Sequence, residues 1–364
     1  MKSLKRYLIF LFLITPLCVH SDFLTVPYVQ AVTVSSAYVL VETSTADTVT
    51  VNYGVTDSCG SKAKTEIIKV TTAEPVTYVH HVKLTGLTED TKYFYYVEQG
   101  HNKSNGSSFM TAVPPGTYFR FCWMSDIRSG VYFHNQVTKL LPAVKPRFSI
   151  YGGDLCYKPD YDYWKSEFFT PDEQNTISRI PFYAVVGNHE GWGQNTKAFE
   201  HNPDSASGTQ DYYSFDYGDA HFTVINFMVP YDENSEQYKF IANDLASTQR
   251  IWKIVVSHSS PYCGGGHGED TLLKIMSEKL FVPLKVDMMI SSHSHFYQHN
   301  IIDEIHYVII GSSGAPLYEP KDESYTIKSI KDYCYGVVDV TTISFKVMVY
   351  NWQNNFLDQI KLTK

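Results

Sequence analysis

The chain has 364 residues, 43% of them hydrophobic and 15% aromatic, so it can bury a large core and is long enough for two domains. Its 38 acidic against 30 basic residues leave a formal net charge of -8, which argues against a nucleic-acid surface built on clustered Lys and Arg.

In chain order the first segment carries Lys2, Lys5 and Arg6, an apolar run over residues 7–14, and Val19-His20-Ser21. A basic start, a short apolar core and small residues before a cut read as a secretory signal over residues 1–21. That core is too short for a bilayer, which needs about 20 residues, and no later stretch is long and apolar enough to span one. The end, Ile360-Lys-Leu-Thr-Lys364, has neither a hydrophobic tail for a lipid anchor nor a retention signal. The mature protein is expected to be soluble and secreted, or held in the lumen of a vacuole or lysosome. Asn102 (Asn-Lys-Ser) and Asn105 (Asn-Gly-Ser) are N-glycosylation sequons in a polar turn. Cys18 leaves with the signal, and Cys59, Cys122, Cys156, Cys263 and Cys334 remain. An odd count in an oxidising compartment leaves at least one thiol free or intermolecular.

Residues 22–115 alternate with period two in runs such as Ala37-Tyr-Val-Leu-Val41, Thr48-Val-Thr-Val-Asn52, Val79-His-His-Val-Lys-Leu84 and Tyr93-Phe-Tyr-Tyr-Val97. Turn residues separate the runs, which predicts an antiparallel β-sandwich. Leu84-Thr-Gly-Leu87 followed by Tyr93 resembles the corner of a fibronectin type III domain, where a tyrosine hydroxyl closes a turn on backbone. His80 and His81 are neighbours in a strand and face opposite sides, so they are expected to be structural.

Pro114-Pro115-Gly116 marks a boundary, and residues 116–364 change to strands alternating with helices. Helical spacing predicts helices over His134–Val144, Glu236–Leu245 and Asp270–Phe281, giving βαβ units. Alternation returns in Gly336-Val-Val-Asp-Val340 and Ser344-Phe-Lys-Val-Met-Val-Tyr350, which should add antiparallel strands.

Five apolar runs in this second part each end in a metal donor. Asp126 follows Phe121-Cys-Trp-Met124, and Asp154 with Tyr157 follows Phe148-Ser-Ile-Tyr151. Asn188 and His189 follow Phe182-Tyr-Ala-Val-Val186, His258 follows Ile254-Val-Val256, and His293 with His295 follows Val286-Asp-Met-Met-Ile290. Buried strands deliver their C-terminal ends to the ligand-binding edge of an α/β sheet, so the pattern places all the donors along one rim of one sheet.

The ordered set Asp126, Asp154-x-x-Tyr157, Gly187-Asn188-His189-Glu190, Val255-x-x-His258 and His293-x-His295 resembles the signature of the metallophosphoesterases. Tyr157, three residues after the second Asp, narrows the resemblance to the purple acid phosphatases in their plant-like form. The fold it implies is an α/β metallophosphoesterase sandwich of four layers, α/β/β/α, preceded by an all-β fibronectin type III-like sandwich. It implies one metal on Asp126, Tyr157 and His295, a second on Asn188, His258 and His293, and Asp154 bridging both. The donor types agree: two carboxylates, a phenolate and an imidazole suit Fe(III), while a shared carboxylate, an amide oxygen and two imidazoles suit Zn(II), Mn(II) or Fe(II).

The activity so implied is a secreted acid phosphatase that hydrolyses phosphate monoesters with a metal-bound hydroxide as nucleophile. Its partner is a phosphate ester substrate, with no nucleic acid and no membrane span. His189 is the expected proton donor or phosphate contact, since imidazole can be cationic at acid pH. His267, beyond Cys263-Gly-Gly-Gly266, stands where the resemblance implies an outer histidine; catalytic and merely exposed readings both remain open. His201, His221, His299 and His306 take a structural or surface reading. The sequence departs from the family pattern at Ser125 and Ser292, where glycine is usual, so altered turns are expected there. Arg128 stands where the first motif has its second glycine; it has two readings, a contact to the substrate phosphate and an exposed loop charge, of which the second is favoured. Other readings of the chain are a dinuclear phosphoesterase acting on diesters, nucleotides or phytate, a pair of divalent metals, or a secreted binding protein with an inactive site.

Overall fold

The structure, a computed structural model, describes residues 23–364; the signal expected over residues 1–21 lies outside them. Among the described residues three sheets carry the fold, and no helix is long and apolar enough to cross a membrane.

The alternating runs make strands with two buried faces, because each is covered on both sides. In Phe119–Met124, Phe121 and Trp123 point into the space between two sheets, while Cys122 and Met124 point under the helix Val131–Val144. Phe119–Met124, Phe148–Tyr151 and Phe182–Ala184 lie side by side and parallel in a ten-stranded sheet. Trp252–Ser257 and Met288–Ser291 lie parallel in a separate seven-stranded sheet, which continues through Ile305–Ile310. Phe121, Phe148 and Ile150 of the first sheet pack on Phe222, Ile254 and Ile290 of the second. The Trp123 indole N–H, donating to the Ile310 carbonyl at 3.0 Å, ties the sheets together. Helices Glu236–Ser247 and Thr271–Met276 cover the outer face of the seven-stranded sheet through Ile241, Leu245, Leu273 and Met276. Ser235 and Asp270 cap their first turns by accepting backbone N–H bonds. The result is the expected order of helix, sheet, sheet and helix.

Two sheets therefore supply the predicted metal donors, and the single-rim expectation is corrected. Runs buried on both faces carry no mark of which sheet they join, since all are continuous and apolar. Cys334–Thr341 and Ser344–Asn351 form antiparallel strands as expected, and Phe356–Thr363 adds a further one.

The N-terminal strands form a sandwich around Val39, Val51, Leu84, Tyr95 and Phe109. The Tyr93 hydroxyl accepts the Thr88 N–H at 3.0 Å, closing the expected corner. His80 bonds Thr43 and Thr65, and His81 bonds Ala198 and His201, so both are satisfied structural residues. One face of this sandwich is continuous with the ten-stranded sheet: Tyr28–Gln30 pairs parallel with Phe182–Ala184 through Gln30 and Phe182. The change at Pro115 is thus a change of rhythm along the chain, while in space the two halves share a sheet. Cys59, Cys122, Cys156, Cys263 and Cys334 are all buried thiols without a disulfide.

Candidate metal centre

At the C-terminal ends of the two sheets the chain turns sharply, and the turns aim side chains at one another. Asp126, Asp154 and His293 have φ of 51°, 56° and 67°, a left-handed conformation that costs a non-glycine residue about 1 kcal/mol or more. Backbone bonds hold two of these turns. The Asp126 N–H donates to the Gly153 carbonyl at 2.9 Å, and the Ile127 N–H to the Asp154 carbonyl at 3.1 Å. The segments pass so close that glycine is required: a Cβ on Gly187 would lie 2.1 Å from the Asp154 nitrogen.

Five predicted donors converge. Asp126, Asp154 and His295 form one group, and Asp154, His258 and His293 a second; within each, one ligand atom per residue lies within 4.8 Å of the others. Asp126 Oδ1 stands 3.4 Å from His295 Nε2, and Asp154 Oδ1 stands 3.4 Å from His258 Nε2. His258 Nε2 and His293 Nδ1 are 3.1 Å apart.

The tautomers of two rings follow from their other nitrogens. His258 Nδ1 donates to the Gly152 carbonyl at 2.7 Å and His295 Nδ1 to the Pro316 carbonyl at 2.7 Å, which leaves each Nε2 as a lone pair facing the carboxylates. Burial, then the neighbouring imidazoles, push His293 down to about 3, so it stays neutral. Asp126 Oδ1 is buried and has no hydrogen-bond partner. An orphaned carboxylate oxygen among converging imidazole nitrogens is the arrangement a cation satisfies. The residues present therefore fit metal ions at both groups.

The other predicted residues stand at the rim. Asn188 is exposed where the chain leaves Phe182–Ala184. His189 donates from Nδ1 to the Tyr157 carbonyl at 2.7 Å, which leaves its Nε2 3.8 Å from Asp154 Oδ2. The exposed His267 ring stacks on His293 with centroids 3.8 Å apart. The ring is thus both exposed and placed beside the second group. Tyr157 is 42% exposed, its ring lies beside Tyr163 and His189, and its hydroxyl makes no hydrogen bond to Asp126, Asp154 or His295.

Arg128 corrects its reading as an exposed loop charge. It is buried, donates from Nε to Asp154 Oδ2 at 3.0 Å, and brings a terminal nitrogen to 3.5 Å from His295 Nε2. Neither Ser125 nor Ser292 has positive φ, so neither turn carries left-handed strain at its serine. Their hydroxyls bond instead: Ser125 Oγ donates to Asp126 Oδ2 at 2.6 Å, and Ser292 Oγ to the Gly152 carbonyl at 2.6 Å.

Sequence reasoning missed two buried glutamates. Glu190 accepts the backbone N–H groups of Asp154, Leu155 and Gly187 at 3.0, 3.2 and 2.6 Å. Glu167 accepts those of Ser129 and Tyr157 at 3.2 and 2.6 Å. Glu190 lies inside a motif read for its neighbours, which is the signal that could have found it; Glu167 had none.

Residues 119–297 match the family model described as calcineurin-like phosphoesterase. A probable inactive purple acid phosphatase 1 of Arabidopsis thaliana is 24% identical, with 84% of this chain and 59% of the relative covered. The Fe(3+)-Zn(2+) purple acid phosphatase 12 of the same plant is 27% identical, with 69% of this chain and 58% of the relative covered. This chain thus spans less than two thirds of these curated relatives. The structure of a purple acid phosphatase from yellow lupin (Lupinus luteus) seeds superimposes with a TM-score of 0.81 at 18% identity, covering 93% of this chain and 74% of that one.

Proposed function

Taking the chain as carrying a calcineurin-like phosphoesterase domain and as a relative of the purple acid phosphatases, we propose that it hydrolyses phosphate monoesters at a centre of two metal ions. The observation that carries this reading is the convergence of Asp126, Asp154, His258, His293 and His295, with Asp126 Oδ1 buried and without a hydrogen-bond partner. Asp126, Asp154 and His295 would hold one ion and Asp154, His258 and His293 the other, with the exposed Asn188 amide closing the second position. Bound there, a pair of ions would clamp a phosphoryl group, neutralise its charge and activate water.

The chain's own residues supply the rest. Asp154 is shared by both groups and gives charge to each. His189 keeps Nδ1 on the Tyr157 carbonyl, so Nε2 is the atom that would hold a proton for the leaving oxygen. His267, stacked on His293 at the open side, would meet a phosphate oxygen. Secretion or vacuolar delivery, with glycans at Asn102 and Asn105 on the hairpin after Lys92–Gln99, belongs to the same reading.

Metal removal tests it. Chelation of the full chain is expected to abolish hydrolysis of an aryl phosphate across an acid-to-neutral pH series, and added metal to restore it. Full hydrolysis by the metal-free protein would sink the proposal, as would failure to take up any metal. His189→Ala should lower kcat by roughly a hundred-fold on an alkyl phosphate, whose leaving group needs a proton, and much less on a nitrophenyl phosphate. Equal losses on the two substrates would remove His189 from that role.

A further inference from the structure

The pocket of the first ion is less negative than its donor types imply. Read as Asp126, Asp154 and a Tyr157 phenolate, it would present three negative charges to a trivalent ion. In the folded chain the Tyr157 hydroxyl makes no hydrogen bond to the cluster, and a guanidinium takes contacts there instead. Arg128 donates to Asp154 Oδ2 at 3.0 Å and lies 3.5 Å from the His295 lone pair. Its Cζ is 5.8 Å from the centroid of the Tyr157 ring, so it neighbours both the cluster and the tyrosine. Two carboxylates and one guanidinium leave a single negative charge.

This placement is built into the loop. The Ile127 and Arg128 N–H groups both point at the Asp154 carbonyl, at 3.1 and 3.3 Å, and the Ser129 N–H donates to Glu167 at 3.2 Å. Gly130 lies so close to Gly314 that an added Cβ would be 1.8 Å from its carbonyl oxygen. The loop therefore has little room to carry Arg128 away, and Glu167 also holds the Tyr157 N–H at 2.6 Å. An ion bonded to Asp126 Oδ1 and His295 Nε2 would have the guanidinium as a close neighbour. Repulsion between fixed charges rises in proportion to the charge of the ion, so it weighs more heavily on a trivalent than on a divalent one.

We propose that Arg128 sets the charge of the first metal position, so that it accepts a divalent ion and rejects Fe(III) bound to the Tyr157 phenolate. This rests on the phosphoesterase reading above and deepens it. The chain then carries two divalent ions and no phenolate-to-iron colour, and Tyr157 serves at the rim through its carbonyl on His189.

The test reconstitutes the full chain with Fe(III) together with Zn(II), then measures metals per chain and the visible spectrum. Wild type is expected to hold zinc at both positions and to be colourless. Arg128→Gly, which restores the glycine of the related motif, should raise the iron-to-zinc ratio roughly a hundred-fold and gain a visible charge-transfer band. Arg128→Gly with Tyr157→Phe should keep the iron and lose the band. Arg128→Gln, which keeps size and hydrogen bonding but not charge, serves if the glycine variant does not fold, with the same shift in metal ratio. A purple wild type bleached by Tyr157→Phe would overturn the inference while leaving the phosphoesterase reading intact. So would unchanged metal ratios in both Arg128 variants. A wild type that takes up no metal would sink the two together.

Discussion

Asp154→Asn is expected to lower the affinity for both ions and to cut kcat/KM on an aryl phosphate by roughly a thousand-fold or more. The carboxylate belongs to both donor groups, so loss of its charge is felt at two positions. Asparagine has the same shape but cannot be oriented without conflict. Oδ1 accepts the His189 N–H at 3.0 Å, and Oδ2 accepts Arg128 Nε at 3.0 Å. Whichever way the amide is turned, its NH2 meets one of these donors in a buried place, where an unmade bond costs about 1–3 kcal/mol. Turned toward His258 it would also bond Nε2, the lone pair meant for the metal. Metal analysis and titration calorimetry on the variant check this, and a variant that retains both ions at wild-type affinity would remove Asp154 from the bridging role.

Glu190→Ala should destabilise the fold and the site together. Its carboxylate, almost wholly buried, accepts three backbone N–H groups, and two of them belong to Asp154 and Gly187, which form the walls of the centre. Burial, and then the Asp154 charge, raise its carboxyl well above the ordinary range. Truncation leaves those three donors unsatisfied, a loss on the order of 3 kcal/mol or more, seen as a fall in the thermal midpoint of roughly 5 °C or more. Glu190→Gln separates charge from bonding. With its oxygen at the Oε1 place it keeps the bonds to Asp154 and Gly187 and loses only the one to Leu155, so an intermediate midpoint is expected. An alanine variant as stable as wild type, with unchanged metal uptake, would show that other contacts hold these loops.

The donors were legible because a strand end is a local event: an apolar run stops, and a carboxylate or imidazole follows within three residues. Asp126, Asp154, His258, His293 and His295 were singled out in this way, and the fold brings them together. Ser125 and Ser292 stand where the motif usually has glycine, and what they do there was not legible: both keep ordinary φ and spend their hydroxyls on Asp126 and the Gly152 carbonyl.

From residue order alone one can read strands, helices, turns and the list of atoms fit to bind a metal, since these depend on side chains within a few positions of one another. Only the folded chain decides that the candidate donors come from two sheets, that the N-terminal strands run on into the ten-stranded sheet, and that Arg128 hydrogen-bonds Asp154. Each of these pairs groups 26 or more residues apart in the chain, and their choice rests on which surfaces bury together. Hydrophobic burial is not directional, so no local pattern records the partner.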